Sequence, residues 1–471
     1  MTPPRPRSQP AGPVVVLPPA RPGGPPRRFA LAPGRVFFFL VVVFVLGAGA
    51  GAGALFPWLD GRRAAAESQR DEARRAWEEL QVRFEELEAK TAEGVGTAAA
   101  GAIAPEAPSQ PASPPMRISP PTDAETALRI AVARSKEPVT LLGEGLIVVQ
   151  SERKAIPIPG GSLLAKVSKG GVWLEGVGTL PSGVRLENRL GPIEVNGRSY
   201  PGALELHVED DGLLLINELE LEKYLLGVVG AEVPGSWPIE AKKAQAVVAR
   251  TYALMQRAQA EGPYHLEATI DDQVYAGTAV DATTKAAVTS TFGEVLLQDG
   301  LLVSAWFSST CGGRSEDPAE VWPERPSHGN AVVTCTHCAD SPYAEWTVQL
   351  PPDEIARSLR KAGWSDVNQV NGLHIRERTV SDRVRKLEID TDAGPVTLSG
   401  QDFRRVMGYM KVKGAAFSVK VDGGSFRIEG GGFGHGVGMC QHGALGMAND
   451  GSGYREILTT YFPSAHVAKI Y

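Results

Sequence analysis

Twenty consecutive residues near the start of the chain, 36–55, carry no charge, and they limit where a folded body can begin. As a helix, a run of this length spans the hydrocarbon core of a bilayer. Arginines precede the run and Asp60 follows it, which favours an N-terminus in the cytoplasm. We therefore predict a single transmembrane helix over 36–57. A cleaved signal peptide is the alternative, since 47–54 is a run of small residues, and either reading exports the rest of the chain to the periplasm or cell wall.

The segments on either side of this run are predicted to be a tail, a stalk and a linker. Residues 1–35 are rich in Pro and Arg and contain no acid, which predicts a disordered cytoplasmic tail. Residues 62–93 carry acid–base pairs at i,i+4 spacing and a short apolar seam, which predict a stalk helix or a short dimeric coiled coil. Residues 94–123 are rich in Ala and Pro and are predicted to be a linker. The folded domain is thus expected over 124–471.

The overall composition excludes several classes of protein. Of the 471 residues, 43% are hydrophobic and 22% are charged, which excludes a wholly disordered chain and a multi-pass membrane protein. The formal net charge of -6 provides no basic field for a phosphate backbone, so a nucleic-acid role is disfavoured. Four cysteines are too few for a disulfide scaffold in a chain of this length.

Beyond residue 124 the pattern is mostly that of strands. Residues 203–208 alternate between apolar and polar side chains, and Pro-Gly pairs separate the strand-like runs. One segment differs. In 238–260, apolar residues recur at helical spacing behind Pro238 and Glu240, which suit the first turn of a helix. We predict an α+β domain, rich in strands, with one long helix.

The densest group of polar candidates lies just before and within that helix. Glu232 follows an apolar run and precedes Val233 and Pro234, where the chain turns. A carboxyl with apolar neighbours resists ionising, so its pKa should rise into the range useful to a general acid. Lys243 and Arg250 lie seven residues apart on one side of the predicted helix, so the two side chains either line a groove or form a solvated face.

A second candidate segment, 430–444, is rich in glycine. Glycine at this density lets the backbone approach another group closely. His435 and Gln441 provide polar side chains within the segment. Because the segment lacks the strand-then-helix context of a dinucleotide-binding loop, we predict no organic cofactor.

The four cysteines are candidates for a metal site. Cys335 and Cys338 are separated by two residues, the spacing at which two thiolates reach one tetrahedral zinc ion. Cys311 and Cys440 lie in glycine-rich segments, and we expect the fold to bring all four together around a structural zinc ion, with His337 as a reserve ligand. Two disulfides are the alternative, because an exported domain meets an oxidising compartment.

Several motifs follow one another along the second half of the chain. The stretch 224–252 reads Tyr-Leu-Leu-Gly-Val-Val-Gly-Ala-Glu-Val-Pro-Gly-Ser-Trp-Pro-Ile-Glu-Ala-Lys-Lys-Ala-Gln-Ala-Val-Val-Ala-Arg-Thr-Tyr. Shorter motifs follow it: Gln-Val-Tyr-Ala-Gly (273–277), Ser-Ser-Thr-Cys-Gly-Gly (308–313), Val-Trp (321–322), Gly-His-Gly-Val-Gly-Met-Cys-Gln (434–441) and Tyr-Arg-Glu-Ile-Leu-Thr-Thr-Tyr-Phe-Pro (454–463). In this order, over residues 190–471, they resemble the SpoIID/LytB family of stage II sporulation protein D and the amidase enhancers. The resemblance predicts a SpoIID-like domain.

The resemblance also implies an activity and roles for the candidate residues. Family members that are enzymes are lytic transglycosylases. They cut the MurNAc–GlcNAc bond of peptidoglycan strands stripped of stem peptides, and they leave 1,6-anhydroMurNAc ends. Their catalytic glutamate corresponds to Glu232, and their basic helix residues correspond to Lys243 and Arg250. His435 and Gln441 would line the cleft and contact substrate.

Two further implications concern the metal and the partners. Some relatives carry a zinc ion beside the active cleft, which agrees with the four-cysteine site. This chain departs from the family at Cys440, where Ser is usual, and at His442, where an aromatic residue is usual. The enhancer branch suggests an alternative function, a non-catalytic peptidoglycan-binding module that recruits or stimulates a cell-wall amidase.

Overall fold

The computed structural model describes residues 127–151, 154–269, 272–275, 277, 280–325 and 328–471. The predicted tail (1–35), membrane helix (36–57), stalk (62–93) and linker (94–123) lie outside these residues and stay predictions. Within the described part of the chain, no helix is both long and apolar enough to cross a membrane.

The first part of the described chain consists almost entirely of strands and turns. A 3-10 turn over Pro159–Gly161 separates the fourth strand from the fifth. The strands are β1 (Ala127–Ser135), β2 (Val139–Leu142), β3 (Leu146–Ser151), β4 (Lys154–Pro157), β5 (Ser162–Ser168), β6 (Gly171–Leu174), β7 (Gly178–Leu180), β8 (Val184–Asn188), β9 (Ile193–Val195), β10 (Arg198–Tyr200), β11 (Ala203–Glu209) and β12 (Gly212–Glu220).

These strands form two sheets. One has the order β1-β12-β11-β8-β3-β4, and β13 (Leu266–Glu267) adds a parallel strand beside β1. The other has the order β10-β9-β2-β5-β6-β7. Residues 212–217 of β12 are buried without interruption, because this strand lies inside its sheet and is covered on both faces. The strand-rich α+β fold predicted from the sequence is therefore present.

Two helices follow β12 and position the candidate acid. The first, α1 (Leu221–Glu232), begins directly after the strand, and six residues separate it from the second, α2 (Ile239–Gln259). Pro234 and Pro238 lie in the turn between them. A proline two residues beyond a helix end stops its continuation, and a proline suits the start of the next helix. The long helix predicted over 238–260 is thus present as α2.

The remaining chain alternates short sheets and helices. The elements are α3 (Ala282–Ser290), β14 (Glu294–Gln298), β15 (Leu301–Leu302), β16 (Phe307–Ser308), α4 (Pro318–Val321), β17 (Trp346–Leu350), α5 (Pro352–Lys361), β18 (Val370–Arg378), β19 (Val384–Thr391), β20 (Val396–Leu398), α6 (Gly400–Met407), β21 (Ala416–Asp422), β22 (Ser425–Gly431), β23 (Met439–Cys440), α7 (Gln441–Asn449), α8 (Tyr454–Tyr461) and β24 (His466–Lys469). Three-stranded sheets have the orders β15-β14-β24, β17-β22-β21 and β18-β19-β20, and β16 pairs in parallel with β23.

Helix α2 lies between two hydrophobic cores. Ala249 and Tyr252 pack into the core that contains the N-terminal sheets and α1. Val247 and Val248 pack into a second core, which contains the four cysteines and the apolar residues of α7 and α8. Because both cores use the same helix, the end of α1 and the start of α7 are held next to each other.

Candidate active site

Glu232 is the last residue of α1 and lies at the contact between the two halves of the described chain. Its Oε1 accepts a hydrogen bond of 2.9 Å from the backbone N–H of Val274. Its Oε2 accepts one of 3.1 Å from Nε2 of Gln441, the first residue of α7. The structure therefore brings together two of the predicted site residues, Glu232 and Gln441, although they are 209 positions apart in the sequence.

The electrostatic environment of Glu232 keeps its carboxyl group protonated well above the usual range. Burial raises the pKa of Glu232 from 4.5 to about 7, and the hydrogen bonds from Val274 and Gln441 only partly oppose this. Both donors are neutral amides. No ion pair involves Glu232 within the described residues. This increase has the direction predicted from the apolar run before Glu232, and its cause is the loss of water around the carboxylate.

Gln245 of α2 is a neighbour of this pair that was not among the predicted site residues. Its Oε1 lies 3.5 Å from Nε2 of Gln441, at the limit of a hydrogen bond. The side chain is 1% exposed, and its own Nε2 has no partner among the described residues. Buried amide groups are rarely left unpaired, so this nitrogen marks a position where a polar atom of a ligand or a water is expected. The sequence feature that could have identified Gln245 is its polar side chain on an otherwise apolar face of the helix.

The glycine-rich segment leads into Gln441 and packs its backbone closely against neighbouring residues. Gly434 and Gly438 have φ of 106° and 72°, in the region that disfavours side chains. A Cβ on Gly438 would collide with the carbonyl oxygen of Trp306, and one on Gly434 would lie 2.9 Å from Cβ of Ser308. The glycines thus allow this loop to pack directly on β16, which agrees with the predicted close approach.

His435 lies in this loop but makes none of the described hydrogen bonds to Glu232. Its Nδ1 accepts a hydrogen bond of 3.0 Å from the backbone N–H of Val437, and its ring packs against Trp322 at 4.8 Å between centroids. Burial, together with the charges of nearby arginines, lowers the pKa of His435 to about 3. The imidazole is therefore neutral at physiological pH, and we assign it to shaping the loop rather than to proton transfer.

Lys243 lies near the surface of α2. Its Nζ is 2.7 Å from Oε1 of Glu240, one turn earlier, and 5.6 Å from the ring centroid of Tyr454. The side chain is 20% exposed. Lys243 thus stays available at the surface, but the described hydrogen bonds do not join it to Glu232.

Arg250 does not fit the groove-lining role predicted for it. Its side chain has 0% exposure. Its Nε and Nη2 donate to the two carboxylate oxygens of Glu222 at 2.7 and 2.8 Å, and its Nη1 donates to the carbonyl of Glu294 at 3.0 Å. A guanidinium held in this way joins α1, α2 and β14, so we assign Arg250 to the framework of the site. Lys243 and Arg250 lie on one side of α2, as their seven-residue separation predicted. At Arg250, however, that side of the helix faces the protein interior.

Arg250→Met should destabilise the protein much more than Lys243→Met. The first substitution leaves the mostly buried Glu222 without its partner, which typically costs about 3–5 kcal/mol. The second removes a surface pair with Glu240, worth less than about 1 kcal/mol. Urea unfolding followed by circular dichroism measures both changes. Equal free energies of unfolding for the two variants would contradict the framework role.

The four cysteines form a compact cluster. Their sulfur atoms lie within 4.8 Å of one another, and Cys311 Sγ is 3.7 Å from Cys338 Sγ. In a tetrahedral site with Zn–S distances of about 2.3 Å, sulfur atoms are about 3.8 Å apart. None of the four cysteines forms a disulfide. The donor set of Cys311, Cys335, Cys338 and Cys440 therefore suits a metal ion, and the expected convergence is confirmed.

Neighbouring groups donate hydrogen bonds to these sulfur atoms. The backbone N–H groups of Cys311 and Gly443 lie 3.2 and 3.3 Å from Sγ of Cys440. The hydroxyl of Tyr461 lies 3.1 Å from Sγ of Cys335. Donors of this kind stabilise thiolates, the form in which cysteine binds metals.

His337, the predicted reserve ligand, lies outside the cluster. Its Nδ1 is 3.0 Å from a carboxylate oxygen of Asp450, and its side chain is 39% exposed. The reserve assignment is therefore wrong. Cys440 completes the set instead, because the parallel pairing of β23 with β16 places it opposite Ser308 and near Cys311.

Arg383 connects the cysteine cluster to a more distant part of the chain, and the sequence analysis missed it. Its Nη2 donates to the carbonyl of Cys311 at 2.6 Å, and its Nη1 donates to the carbonyl of Arg314 at 3.0 Å. The side chain is almost completely buried beside Gly436, where a Cβ would collide with the guanidinium. The turn between β18 and β19 is thereby fixed against the segment that contains Cys311.

Four rings, those of Trp237, His442, Tyr343 and Phe433, form an aromatic wall next to Gln441 in the chain. The His442 ring lies 5.3 Å from Trp237 and 6.1 Å from Tyr343, in edge-to-face geometry, and Tyr343 lies 4.7 Å from Phe433. All four rings are partly exposed. Partly exposed aromatic rings are suited to contact with the apolar faces of sugars. His442 takes the place of an aromatic residue within this wall.

Comparisons with known proteins agree with the resemblance. A family model described as stage II sporulation protein matches residues 209–297, which contain Glu232, and a model of a domain of unknown function (DUF8618) matches residues 334–438. An uncharacterized protein of Brachyspira hyodysenteriae is 31% identical over 297 residues, covering 62% of this chain and 78% of that protein. Stage II sporulation protein D of Bacillus subtilis is 29% identical over 275 residues, covering 54% and 76%.

The amidase enhancer of Bacillus subtilis is also similar, with 28% identity over 357 residues. The match covers 64% of this chain and 49% of that protein, so the chain spans about half of the enhancer's length. The chain belongs to the SpoIID/LytB family. This membership supports a role related to the cell wall.

Proposed function

We propose that the protein is a peptidoglycan lytic transglycosylase in which Glu232 is the general acid and base. The observation that carries the proposal is the position of Glu232, whose carboxyl has a pKa of about 7 and is held by two neutral donors. A pKa near neutrality lets one group give and take a proton with similar ease.

The reaction needs a single carboxyl group. Protonated Glu232 donates its proton to the glycosidic oxygen between MurNAc and GlcNAc as that bond breaks. The resulting carboxylate then removes the proton from the 6-hydroxyl of the same MurNAc, whose oxygen bonds to C1 and closes the 1,6-anhydro ring. Glu232 ends protonated, as it began. Unlike most glycoside hydrolases, this route requires no second carboxylate to activate water or to act as a nucleophile.

The neighbouring groups support these steps in different ways. Gln441 holds Oε2 of Glu232 through its Nε2–H, which fixes the orientation of the carboxyl group. Lys243, close to the surface, is the proposed contact for lactyl carboxylates on strands that lack stem peptides. His435 packs against Trp322 and supports the glycine-rich loop.

The proposed cofactor is one structural zinc ion held by the four cysteines. Bound there, a zinc ion would cross-link the glycine-rich segments and would take no part in the reaction. Cys440 immediately precedes Gln441, so an ordered cluster would also hold Gln441 in place.

The proposed location is outside the cytoplasmic membrane, with the chain anchored through residues 36–57. The stalk over 62–93 would then separate the domain from the membrane, alone or as a dimer. This arrangement gives Glu232 access to glycan strands in the periplasm or cell wall.

A second candidate function rests on the similarity to a protein named amidase enhancer. In this alternative the groove binds glycan strands without cleaving them, and the protein recruits or stimulates a cell-wall amidase. Incubating denuded peptidoglycan with the full-length protein and analysing the products by mass spectrometry separates the two. Anhydro ends would support the transglycosylase, and binding without products would support the enhancer.

The pH dependence offers a test of the Glu232 environment. Because the acid form starts the reaction, kcat/KM should fall as pH rises above about 7. Gln441→Leu removes a donor that stabilises the carboxylate, so the fall should move to higher pH. Initial rates measured across this range give both profiles. An unchanged profile in the variant would contradict the role of Gln441.

The same shift links Glu232 to stability. The folded protein holds this proton between the ordinary pKa of 4.5 and about 7, whereas the unfolded chain does not. The contribution of Glu232 to stability is therefore complete below the lower value and is lost as pH rises through the upper one.

A further inference from the structure

Gln245 is a buried polar residue in an apolar part of α2. The residues next to it along the helix, Ala244, Ala246 and Val247, are apolar and fully buried. Burying an amide costs free energy unless its polar atoms are paired, and the Nε2 of Gln245 has no partner in the part of the chain that the structure describes. A contribution to stability therefore does not account for glutamine at this position.

The oxygen of Gln245 faces the side-chain amide of Gln441. An amide nitrogen carries two hydrogens, and Nε2 of Gln441 has two acceptors close to it. Oε2 of Glu232 lies at 3.1 Å and Oε1 of Gln245 lies at 3.5 Å. Because both neighbours are oxygens, the nitrogen end of the Gln441 amide is favoured at this position.

The helices that carry the two glutamines are held by one core. Helix α2 contributes Val247 and Val248 to the second core, and α7 contributes Ala444 and Met447. The backbones at both ends of the contact are therefore fixed. The last torsion of a glutamine side chain is broad and roughly two-fold, so the orientation of each amide is the freedom that remains.

The opposite orientation of Gln441 would change the environment of Glu232. A half-turn of the amide would place Oε1 of Gln441 against the oxygens of both Glu232 and Gln245. That oxygen would repel the carboxylate form of Glu232 and accept a hydrogen bond from the protonated form, and both effects favour the protonated form. Gln245 opposes this turn because its own oxygen would then meet the oxygen of Gln441.

We infer that Gln245 is a positioning residue, whose buried oxygen holds the nitrogen end of the Gln441 amide against Glu232. The inference rests on the proposed function, in which Glu232 alternates between acid and carboxylate. Gln245 acts through Gln441, which lies between it and the carboxyl group. By favouring the donor orientation, it stabilises the carboxylate that forms in the first proton transfer and that removes the proton of the 6-hydroxyl in the second.

Other titratable groups near Glu232 contribute no charge to the shift of its pKa, which arises from burial and two hydrogen bonds. On α1, burial raises the pKa of Tyr224 well above its usual value. On α2, burial raises the pKa of Tyr252, whose hydroxyl donates to Asp272 at 2.6 Å. On α7, burial lowers the pKa of His442. A change in the titration of Glu232 therefore reports on the neighbouring amides.

Gln245→Met tests the inference, because methionine has a similar length and no amide group. The Gln441 amide should then adopt both orientations, and the titration midpoint of Glu232 should rise by about half a pH unit, or about threefold in proton affinity. Infrared difference spectra of the full-length protein, with the spectra of the Glu232→Gln protein subtracted, follow this carboxyl group without turnover. The fall of kcat/KM at alkaline pH should move upwards by the same amount.

The melting temperature separates positioning from packing. Because Nε2 of Gln245 has no partner among the described residues, Gln245→Met should not lower the melting temperature. A residue with a packing role alone would give the reverse result, a lower melting temperature with an unchanged Glu232 midpoint. Gln259→Met is the matched control, since Gln259 is an exposed glutamine on the same helix, and it should change neither quantity.

A double variant tests the route by which Gln245 acts. With Gln441→Leu already present, Gln245→Met should shift the midpoint no further, because the amide that it orients is gone. Additive shifts, or an unchanged midpoint in Gln245→Met alone, would overturn the inference. Failure of the proposed function is distinguishable: a parent protein that forms no anhydro ends would refute that function, whereas the infrared midpoints still test Gln245.

Discussion

Replacing Glu232 by Gln should lower the rate of anhydro-end formation by about 100- to 10,000-fold, the usual contribution of a general acid–base group. The amide has the shape of the carboxyl group, and its oxygen still accepts the N–H of Val274. It has no proton to give to the glycosidic oxygen and cannot accept the proton of the 6-hydroxyl. Binding of denuded strands should therefore persist while kcat falls. Mass spectrometry of the released fragments measures the rate.

A matched control for this substitution lies just before the same helix. Glu220 precedes α1, is well exposed and pairs with Lys223 at 3.2 Å. Glu220→Gln removes one carboxylate near the opposite end of α1, so its rate should stay within about twofold of the parent because surface pairs contribute little. A fully active Glu232→Gln protein would contradict the role of Glu232 as the general acid and base, whereas a parent protein that binds strands and forms no anhydro ends would leave the enhancer function.

Loss of one cysteine ligand is expected to have the largest effect on stability. The purified protein should contain one zinc ion per chain, and Cys338→Ser should lower both the zinc content and the melting temperature, the latter by about 10 °C or more. The reason is that the metal cross-links three separate segments, those around Cys311, around Cys335 and Cys338, and around Cys440. Elemental analysis and calorimetry of protein purified without chelators provide the two readouts.

His337→Ala is the control that separates the cluster from its neighbourhood. His337 lies one residue before Cys338, but its ring contacts Asp450. Zinc content should therefore stay at the parent value. If His337→Ala lost the metal while Cys338→Ser retained it, the four-cysteine assignment would be wrong. Titration of free thiols in the parent protein checks the disulfide alternative.

The acid at the centre of the site was predictable because its cause is local. An apolar run ends at Glu232 and a proline follows at 234, which predicted a carboxyl group with apolar neighbours where the chain turns. Burial then raised its pKa to about 7. The cysteine spacing was informative for the same reason, since two residues between Cys335 and Cys338 already bring two sulfur atoms to one ion.

The direction in which helix side chains point was not predictable to the same degree. Lys243 and Arg250 share one side of α2 in the sequence pattern, but Arg250 is fully buried against Glu222 while Lys243 lies near the surface. Helix α2 is packed on two sides. A charged residue on such a helix can be buried only where a carboxylate from another element lies opposite it. Arg250 is buried because Glu222 of α1 lies opposite it. The periodicity of α2 alone does not show where Glu222 lies.

The local sequence pattern was enough to indicate a strand-rich α+β domain, a long helix, a candidate acid and the metal-binding spacing of Cys335 and Cys338. Those properties depend on neighbours within one or two turns. The partners of these groups come from far along the chain: Gln441 reaches Glu232, and Arg383 reaches the carbonyl of Cys311. Such contacts arise from the packing of whole elements, because burial and hydrogen bonding between remote segments depend on how sheets and helices meet.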